Sequence, residues 1–401
     1  MFDPYLVISR KYRPKSMDDL KGQDLLVSSL RSCLDNKKVP HAFLFHGIRG
    51  VGKTTVARIL ARCLSCVGQD NLTDITSQPC GVCRSCIAID RDQHMDIMEF
   101  DAASRTGVDD IREIIDSTQY APVLGRYKIF IIDEVHMLSK SAFNALLKTL
   151  EEPPQHVKFI FATTEMHKIP ETVLSRCMVF PLRPVSFDAL SNYLIDIAKR
   201  EGTTLDDGAA RVICEESGGS VRDALSLLEQ SMMLSDDDNI IASKSVLEML
   251  GSVASSEIES LWNLILSSKT KESLAKIESF MKGGADPTIL YKSLQNALYK
   301  LIVKRVNDGV GRHDNTSITN LLYLWQILLK QSENLKNAHF PEYVLNATVI
   351  ILSITSSFQN IEEMMINNDN PNVIPSKSDK TNEVIDSILN KFPGSVASEV
   401  E

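Results

Sequence analysis

Eight residues, "GIRGVGKT" at 47–54, constrain this chain more than any other stretch. They follow an apolar run, "AFLFH", and open a helical pattern, "KTTVARILARCL". A glycine-rich turn between a buried strand and a helix N-terminus is a phosphate cradle, because backbone amides and the positive end of the helix both point at the anion. In this reading Gly47, Ile48, Arg49, Gly50, Val51 and Gly52 line the phosphates, with Thr55 beside them. Lys53 reaches the β- and γ-phosphates, and the Thr54 hydroxyl ligates Mg²⁺. Such a loop needs a parallel sheet behind it.

Residues 1–186 supply that sheet. Apolar runs at 42–47, 97–102, 127–134 and 157–164 read as buried strands, and helical patterns such as "KSAFNALLKTLEE" alternate with them. That alternation predicts an α/β domain with a parallel sheet and helices on both faces. Residues 187–250 read as helical, in three segments, and residues 251–365 as a further helical domain. Residues 366–401 are rich in Asn, Asp, Ser and Pro, and predict a flexible tail. Near its end Val384, Ile385, Ile388, Leu389 and Phe392 fall on one helical face, which suits docking into a partner.

The run "IFIIDE" ends in two carboxylates. Asp133, at the end of a buried strand, can hold Mg²⁺ through water, and Glu134 can deprotonate an attacking water. Thr163 and Thr164 close the next apolar run, where a hydroxyl serves either as a strand cap or as a partner of the γ-phosphate or attacking water.

Five of the eight cysteines fall within residues 63–86. No apolar run approaches the roughly 20 residues of a membrane span. The start, "MFDPYLVISRKYRP", lacks a signal-peptide pattern, so the expectation is a cytoplasmic protein with no membrane partner. Thiols there stay reduced, and a cluster reads as metal ligands. "CGVCRSC" spaces Cys80, Cys83 and Cys86 as C-x2-C-x2-C, with a fourth ligand required from elsewhere. An iron–sulfur run would continue with x3-C-P, which Ile87–Asp90 does not offer. A closed tetrahedral zinc site is expected. The net charge of −9 argues against a globally basic nucleic-acid binder, although residues 1–62 carry twelve Lys or Arg against five Asp or Glu.

In order, the chain contains "KYRPKSMDDLKGQ", "GIRGVGKTT", "PCGVCRSC", "DAASRTGVDDIREI", "IIDEVHMLSKSAFNALLKTLEEPP", "ATTEMHKIPETVLSRC" and "GGSVRDALSLLEQ". Together they resemble the gamma/tau subunit of bacterial DNA polymerase III, the ATPase of the sliding-clamp loader. The resemblance implies AAA+ architecture: a RecA-like domain at 1–186 with a zinc knuckle at 66–86, an all-α lid at 187–250, and an all-α collar at 251–365 that oligomerises. It implies ATP as the nucleotide. Thr164 matches the sensor of the γ-phosphate, Arg176 the arginine finger offered to a neighbouring subunit, and Arg222 the second sensor on the lid. Arg13, in "KYRP", and the "KGQ" segment match loops around the adenine. Cys66 matches the fourth zinc ligand, leaving Cys63 to the core, and Arg105, Arg112 and Lys148 match residues facing the DNA duplex. The implied partners are delta and delta-prime subunits, other copies of the chain, the beta sliding clamp and primer–template DNA, with the tail available to the polymerase core. A scaffold that has lost hydrolysis, or another AAA+ motor, would share much of this. The intact Lys53, Thr54, Asp133, Glu134 and Arg176 set argues against the first, and the thiol run against the second.

Overall fold

The computed structural model describes residues 6–70, 74–104, 106–234, 239–307 and 318–357. They form two compact units, which divide between Met249 and Leu250.

The first unit begins with α1 (Ile8–Lys11) and α2 (Asp24–Asp35), followed by β1 (Ala42–His46) and α3 (Lys53–Ser65). Next come α4 (Arg84–Asp90), β2 (Ile97–Asp101), α5 (Val108–Ser117), β3 (Lys128–Asp133) and α6 (Lys140–Glu151). The sheet is completed by β4 (Val157–Thr163), α7 (Glu171–Leu174) and β5 (Met178–Pro181). All five strands run parallel in the order β2-β3-β4-β1-β5. The first strand is thus inserted between β4 and β5, with His46 level with Thr163 on one side and Pro181 on the other. Order reversal of this kind opens a crevice at the carboxyl ends of the strands, where α/β sheets bind ligands.

Parallel strands buried on both faces read as continuous apolar runs, which is why the runs named above match β1, β3 and β4 closely, whereas β2 is an edge strand and only half-buried. Period-2 alternation then sorts their side chains. Phe43, Phe45, Ile129, Ile131 and Ile160 pack against Leu30 and Leu34 of α2 and Ile59 and Leu60 of α3. Leu44, Phe130, Ile132, Phe159 and Phe161 pack on the opposite side against Ile111 of α5 and Phe143 and Leu146 of α6. Each fully buried Leu, Ile or Phe contributes about 1.5–3 kcal/mol. The fifth strand is outside those runs: it has four residues, with Met178 and Pro181 exposed at the sheet edge.

The same unit continues with the helices of the lid, α8 (Phe187–Arg200), α9 (Asp207–Ser217) and α10 (Val221–Met232), and ends with α11 (Ser243–Met249). A two-residue parallel pairing of β6 (Thr204–Leu205) with β7 (Ile240–Ile241) joins two of its connections. Two residues are too few to leave a periodic signal. Gly218, with φ 56°, ends α9 in the left-handed conformation that glycine adopts without strain.

The second unit consists, among its described residues, of α12 (Ser255–Leu266), α13 (Thr270–Lys282), α14 (Pro287–Asn307), α15 (Ile318–Asn337) and α16 (Pro341–Ser357). Its core joins Trp262, Leu294, Leu328 and Val349. The Trp262 indole donates to the Leu294 carbonyl at 3.0 Å, and the Tyr291 hydroxyl to that of Leu328 at 2.5 Å. Both aromatic rings therefore enter the core with their polar ends satisfied. The tail expected at 366–401, with its apolar face from Val384 to Phe392, lies outside the described residues.

Candidate functional site

The crevice gathers three loops. From β1 the chain turns through Gly47–Gly52 into α3, and Gly50 and Gly52 adopt φ of 74° and 110°. At Gly47 a Cβ would sit 2.5 Å from the Leu182 carbonyl oxygen, so the loop can follow the end of β5 only without a side chain. Ile48 and Arg49 are exposed, Val51 is buried, and Thr54 and Thr55 are half-buried on the first turn of α3. Lys53 is only 5% exposed, and its Nζ donates to the carbonyls of Gly47 and Ile48 at 3.1 and 3.0 Å. Burial lowers its pKa, while Glu134 and Asp133 oppose that shift. A desolvated cation ringed by loop carbonyls suits capture of polyphosphate oxygens.

Asp133 ends β3 directly across from the loop. Its Oδ2 accepts from Thr54 Oγ1 at 2.5 Å, and its Oδ1 from the Glu134 amide at 2.9 Å. A hydroxyl and a carboxylate so placed could share a divalent cation of the Mg²⁺ class, a hard ion that takes oxygen ligands. Glu134 has φ 46° and ψ 44°. A non-glycine residue in this left-handed region carries backbone strain of about 1–3 kcal/mol, of the kind that clusters at functional sites. Its Oε2 accepts from both the amide and the hydroxyl of Thr164, at 3.2 and 3.1 Å. The neighbouring Thr163 turns instead to His136 Nδ1, 3.0 Å away. Of the two threonines, Thr164 therefore faces the carboxylate.

The lid closes over the same loop. The Arg222 amide donates to the Gly50 carbonyl at 3.1 Å, at the first turn of α10. The N-terminal segment is tied to the lid as well. Glu201 accepts from Lys11 at 2.9 Å and from the Tyr12 hydroxyl, and the Ile8 amide donates to Glu229 at 3.1 Å. Burial, and the bond to Glu201, push the Tyr12 phenol up to about 12. Gln23, in "KGQ", exchanges hydrogen bonds with the Arg183 backbone at 2.6 and 3.2 Å. Arg13 lies instead among the charges of Arg58, Glu99 and Asp92, and desolvation, then repulsion from Arg58, lowers its pKa.

Other expected residues sit apart. Arg176, in the loop after α7, donates to Glu151 at 2.6 Å and to the Thr172 carbonyl at 2.6 Å, both away from its own phosphate loop in sequence. Arg112 pairs with Asp109 at 2.9 Å on α5, and Lys148 is exposed in the last turn of α6. Arg105 lies outside the described residues. His136, Glu165 and Ser220 were not singled out from sequence, although the histidine in "DEVH", three residues past Asp133, was a usable signal.

The thiols of Cys66, Cys80, Cys83 and Cys86 all lie within 4.8 Å of one another. Cys66 follows the last turn of α3, and Cys83 caps α4 by accepting from the Cys86 amide at 3.5 Å. Amides of Cys80 and Cys83 also donate to sulfur, at 3.3 Å each. Four converging thiols stabilised by amide donors could hold a tetrahedral metal ion. Cys63, one turn earlier on α3, is fully buried in the sheet core, with its sulfur 3.8 Å from the Ser77 carbonyl.

Residues 22–186 match a family model described as DNA polymerase III, delta subunit. Residues 189–237 match the DNA polymerase III clamp loader subunit ATPase lid domain, and residues 241–366 match DNA polymerase III subunits gamma and tau domain III. DNA polymerase III subunit tau of Escherichia coli is 38% identical over 314 residues, 78% of this chain and 48% of that protein. The chain thus spans about half the length of that relative. DNA polymerase III subunit gamma of Buchnera aphidicola subsp. Schizaphis graminum is 38% identical over 363 residues, 87% of this chain and 97% of that protein. Among solved structures, the Thermotoga maritima RuvB Holliday junction branch migration motor aligns over 63% of this chain and 79% of that one, at 22% identity and a TM-score of 0.46. The lid and gamma/tau domain matches, joined to near-complete coverage of a gamma subunit, mean that this chain belongs to the gamma/tau family of DNA polymerase III clamp-loader ATPase subunits.

Proposed function

We propose that this protein hydrolyses ATP within a DNA polymerase III clamp loader, and that binding and hydrolysis drive loading of the beta sliding clamp onto primer–template DNA. One observation carries the reading: Thr54 meets Asp133 and Thr164 meets Glu134 at one rim of a parallel sheet, beneath a lid hydrogen-bonded to the phosphate loop. Lys53 and the loop amides bind the β- and γ-phosphates of ATP. Thr54 and Asp133 would hold Mg²⁺, which supplies neutralisation of phosphate charge when bound. Glu134 takes a proton from water as its oxygen bonds to the γ-phosphorus, and the bond to the β-phosphate oxygen breaks with its electron pair leaving on ADP. Thr164 orients the base, Arg222 reaches the nucleotide from the lid, and Arg13 borders the adenine side.

Arg176 serves a neighbouring copy, which ties hydrolysis to assembly with delta, delta-prime and further copies. Arg105, Arg112 and Lys148 grip duplex phosphates, a contact that needs charge and not base readout. Cys66, Cys80, Cys83 and Cys86 would hold zinc, which closes a small knuckle too small to have a core of its own. The tail tethers a partner such as the polymerase core. No described helix is long and apolar enough to cross a membrane, which fits work in the cytoplasm. The test is ATP turnover by the reconstituted assembly, with and without primed DNA and clamp. Stimulation by both supports the loading function, and turnover indifferent to both rejects it.

A further inference from the structure

The 3-10 turn after Glu134, Val135–Met137, carries a histidine to which this chemistry gives no role. The His136 side chain is only 6% exposed. Its Nδ1 lies 3.0 Å from Thr163 Oγ1 and 3.5 Å from Glu134 Oε2, and its Nε2 lies 3.3 Å from Glu165 Oε1. Thr163 Oγ1 also accepts from the Glu165 amide at 3.0 Å. Both ring nitrogens therefore have oxygen partners on Thr163 and Glu165, the residues on either side of Thr164.

The ring packs beside the Glu134 carboxylate, with Nδ1 3.5 Å from its Oε2, and limits where that carboxylate can swing. Thr164, from the other side, supplies the two hydrogen bonds that Oε2 accepts. The imidazole therefore ties Thr163 and Glu165, which flank Thr164 at the end of β4, to the turn that carries Glu134.

We propose that His136 is a positioning residue for hydrolysis, locking the Thr163–Glu165 segment to the Glu134 turn so that the carboxylate is held in one orientation. This rests on Glu134 acting as the base. The experiment compares the full chain with His136→Gln, His136→Asn, Glu134→Gln and the Glu134→Gln/His136→Gln pair, measuring turnover in the reconstituted assembly and affinity for a fluorescent ATP analogue. His136→Gln should lower kcat about tenfold with KM and analogue affinity within about twofold, since misplacing a catalytic group costs turnover and not ground-state binding. His136→Asn, which keeps a polar group on the Thr163 side, should recover part of kcat. In the pair, His136→Gln should add nothing to the Glu134→Gln defect. Wild-type kcat in both His136 variants beside an inactive Glu134→Gln overturns the positioning role alone. So does a joint loss of kcat and analogue affinity with a lowered Tm, which marks a purely structural residue. Wild-type turnover in Glu134→Gln instead overturns the base assignment on which the proposal stands.

Discussion

The Arg222 amide donates to the Gly50 carbonyl at 3.1 Å, and this single bond sets the first turn of lid helix α10 on the phosphate loop. The approach is close enough to dictate residue type. Gly50 has φ 74°, and a Cβ there would fall 2.1 Å from Ser220 Oγ and 3.2 Å from Arg222 Cβ. Ser220 in turn caps α10 by accepting from the Asp223 amide at 3.3 Å. The positive end of α10 thus approaches the loop that opens α3, and two helix dipoles favour an anion in the same place.

Gly50→Ala should therefore act on the lid as much as on the loop. The left-handed φ alone costs an alanine about 1–2 kcal/mol, and Ser220 has to move as well. We expect weaker ATP binding and faster proteolysis within the lid, read by titration with a fluorescent analogue and by limited digestion. Ser220→Ala in the Gly50→Ala background should restore part of the affinity. Failure of that rescue would place the fault in the loop itself.

Lys53→Ala and Glu134→Gln should separate binding from chemistry. Removing a buried cation that pairs with phosphate costs about 2–5 kcal/mol, or on the order of 30- to several-thousand-fold in ATP affinity. Glu134→Gln keeps the shape and the contact with Thr164 but removes the proton acceptor. It should bind ATP within a few-fold of wild type and fail to turn it over. Parallel titration and steady-state hydrolysis distinguish the two, and equal losses of affinity would contradict the division of roles.

The thiol cluster gives a metal prediction. Purified protein should contain roughly one zinc per chain. Cys83→Ser should lose it and lower Tm, with ATP affinity largely retained, because the knuckle is built from the far end of α3. Cys63→Ser should keep the metal, because Cys63 lies in the sheet core and not among the four converging thiols. Elemental analysis decides, and zinc lost from Cys63→Ser would redraw the ligand set. A visible charge-transfer band would identify an iron–sulfur cluster instead.

What was legible in the sequence depended on local pattern. Strands buried on both faces announce themselves as apolar runs, and a phosphate loop is one contiguous motif. The spacing of Cys80, Cys83 and Cys86 is equally local. Features that arise from packing at a distance left no such trace. Met178–Pro181 is a strand because it pairs with β1, not because four residues show a period. Ser220 and Gly50 meet only once the lid is in place, 170 residues apart along the chain. His136 has a local signal, in "DEVH", but its partners Thr163 and Glu165 are evident only once the fold brings them around it. Arg112 and Lys148 remain exposed charges like many others, since nothing in one side chain marks the surface that meets DNA.

Arg176 provides the sharpest test of assembly. Its guanidinium is held by Glu151 and by the Thr172 carbonyl, each at 2.6 Å, at the start of the edge strand β5. The pair with Glu151 is well exposed, with 32% and 50% of the two side chains open to solvent. An exposed pair of this kind is worth only about 0.2–1 kcal/mol. A planar guanidinium gains more from a bidentate contact to the charge of a γ-phosphate, so a neighbour's nucleotide can compete it away. Arg176→Ala should leave ATP binding by the isolated chain unchanged and reduce turnover in the assembly by about 10³-fold or more, the effect of removing an arginine finger. Mixed assemblies locate the defect. Arg176→Ala chains combined with Lys53→Ala chains should regain turnover wherever an intact Lys53 site faces an intact Arg176. Glu151→Gln, which removes the charged hold and leaves the Thr172 carbonyl and Ser175 hydroxyl, should keep turnover or raise it slightly. If mixing restores nothing while each chain still assembles, Arg176 serves its own site and hydrolysis does not depend on a neighbour through this residue.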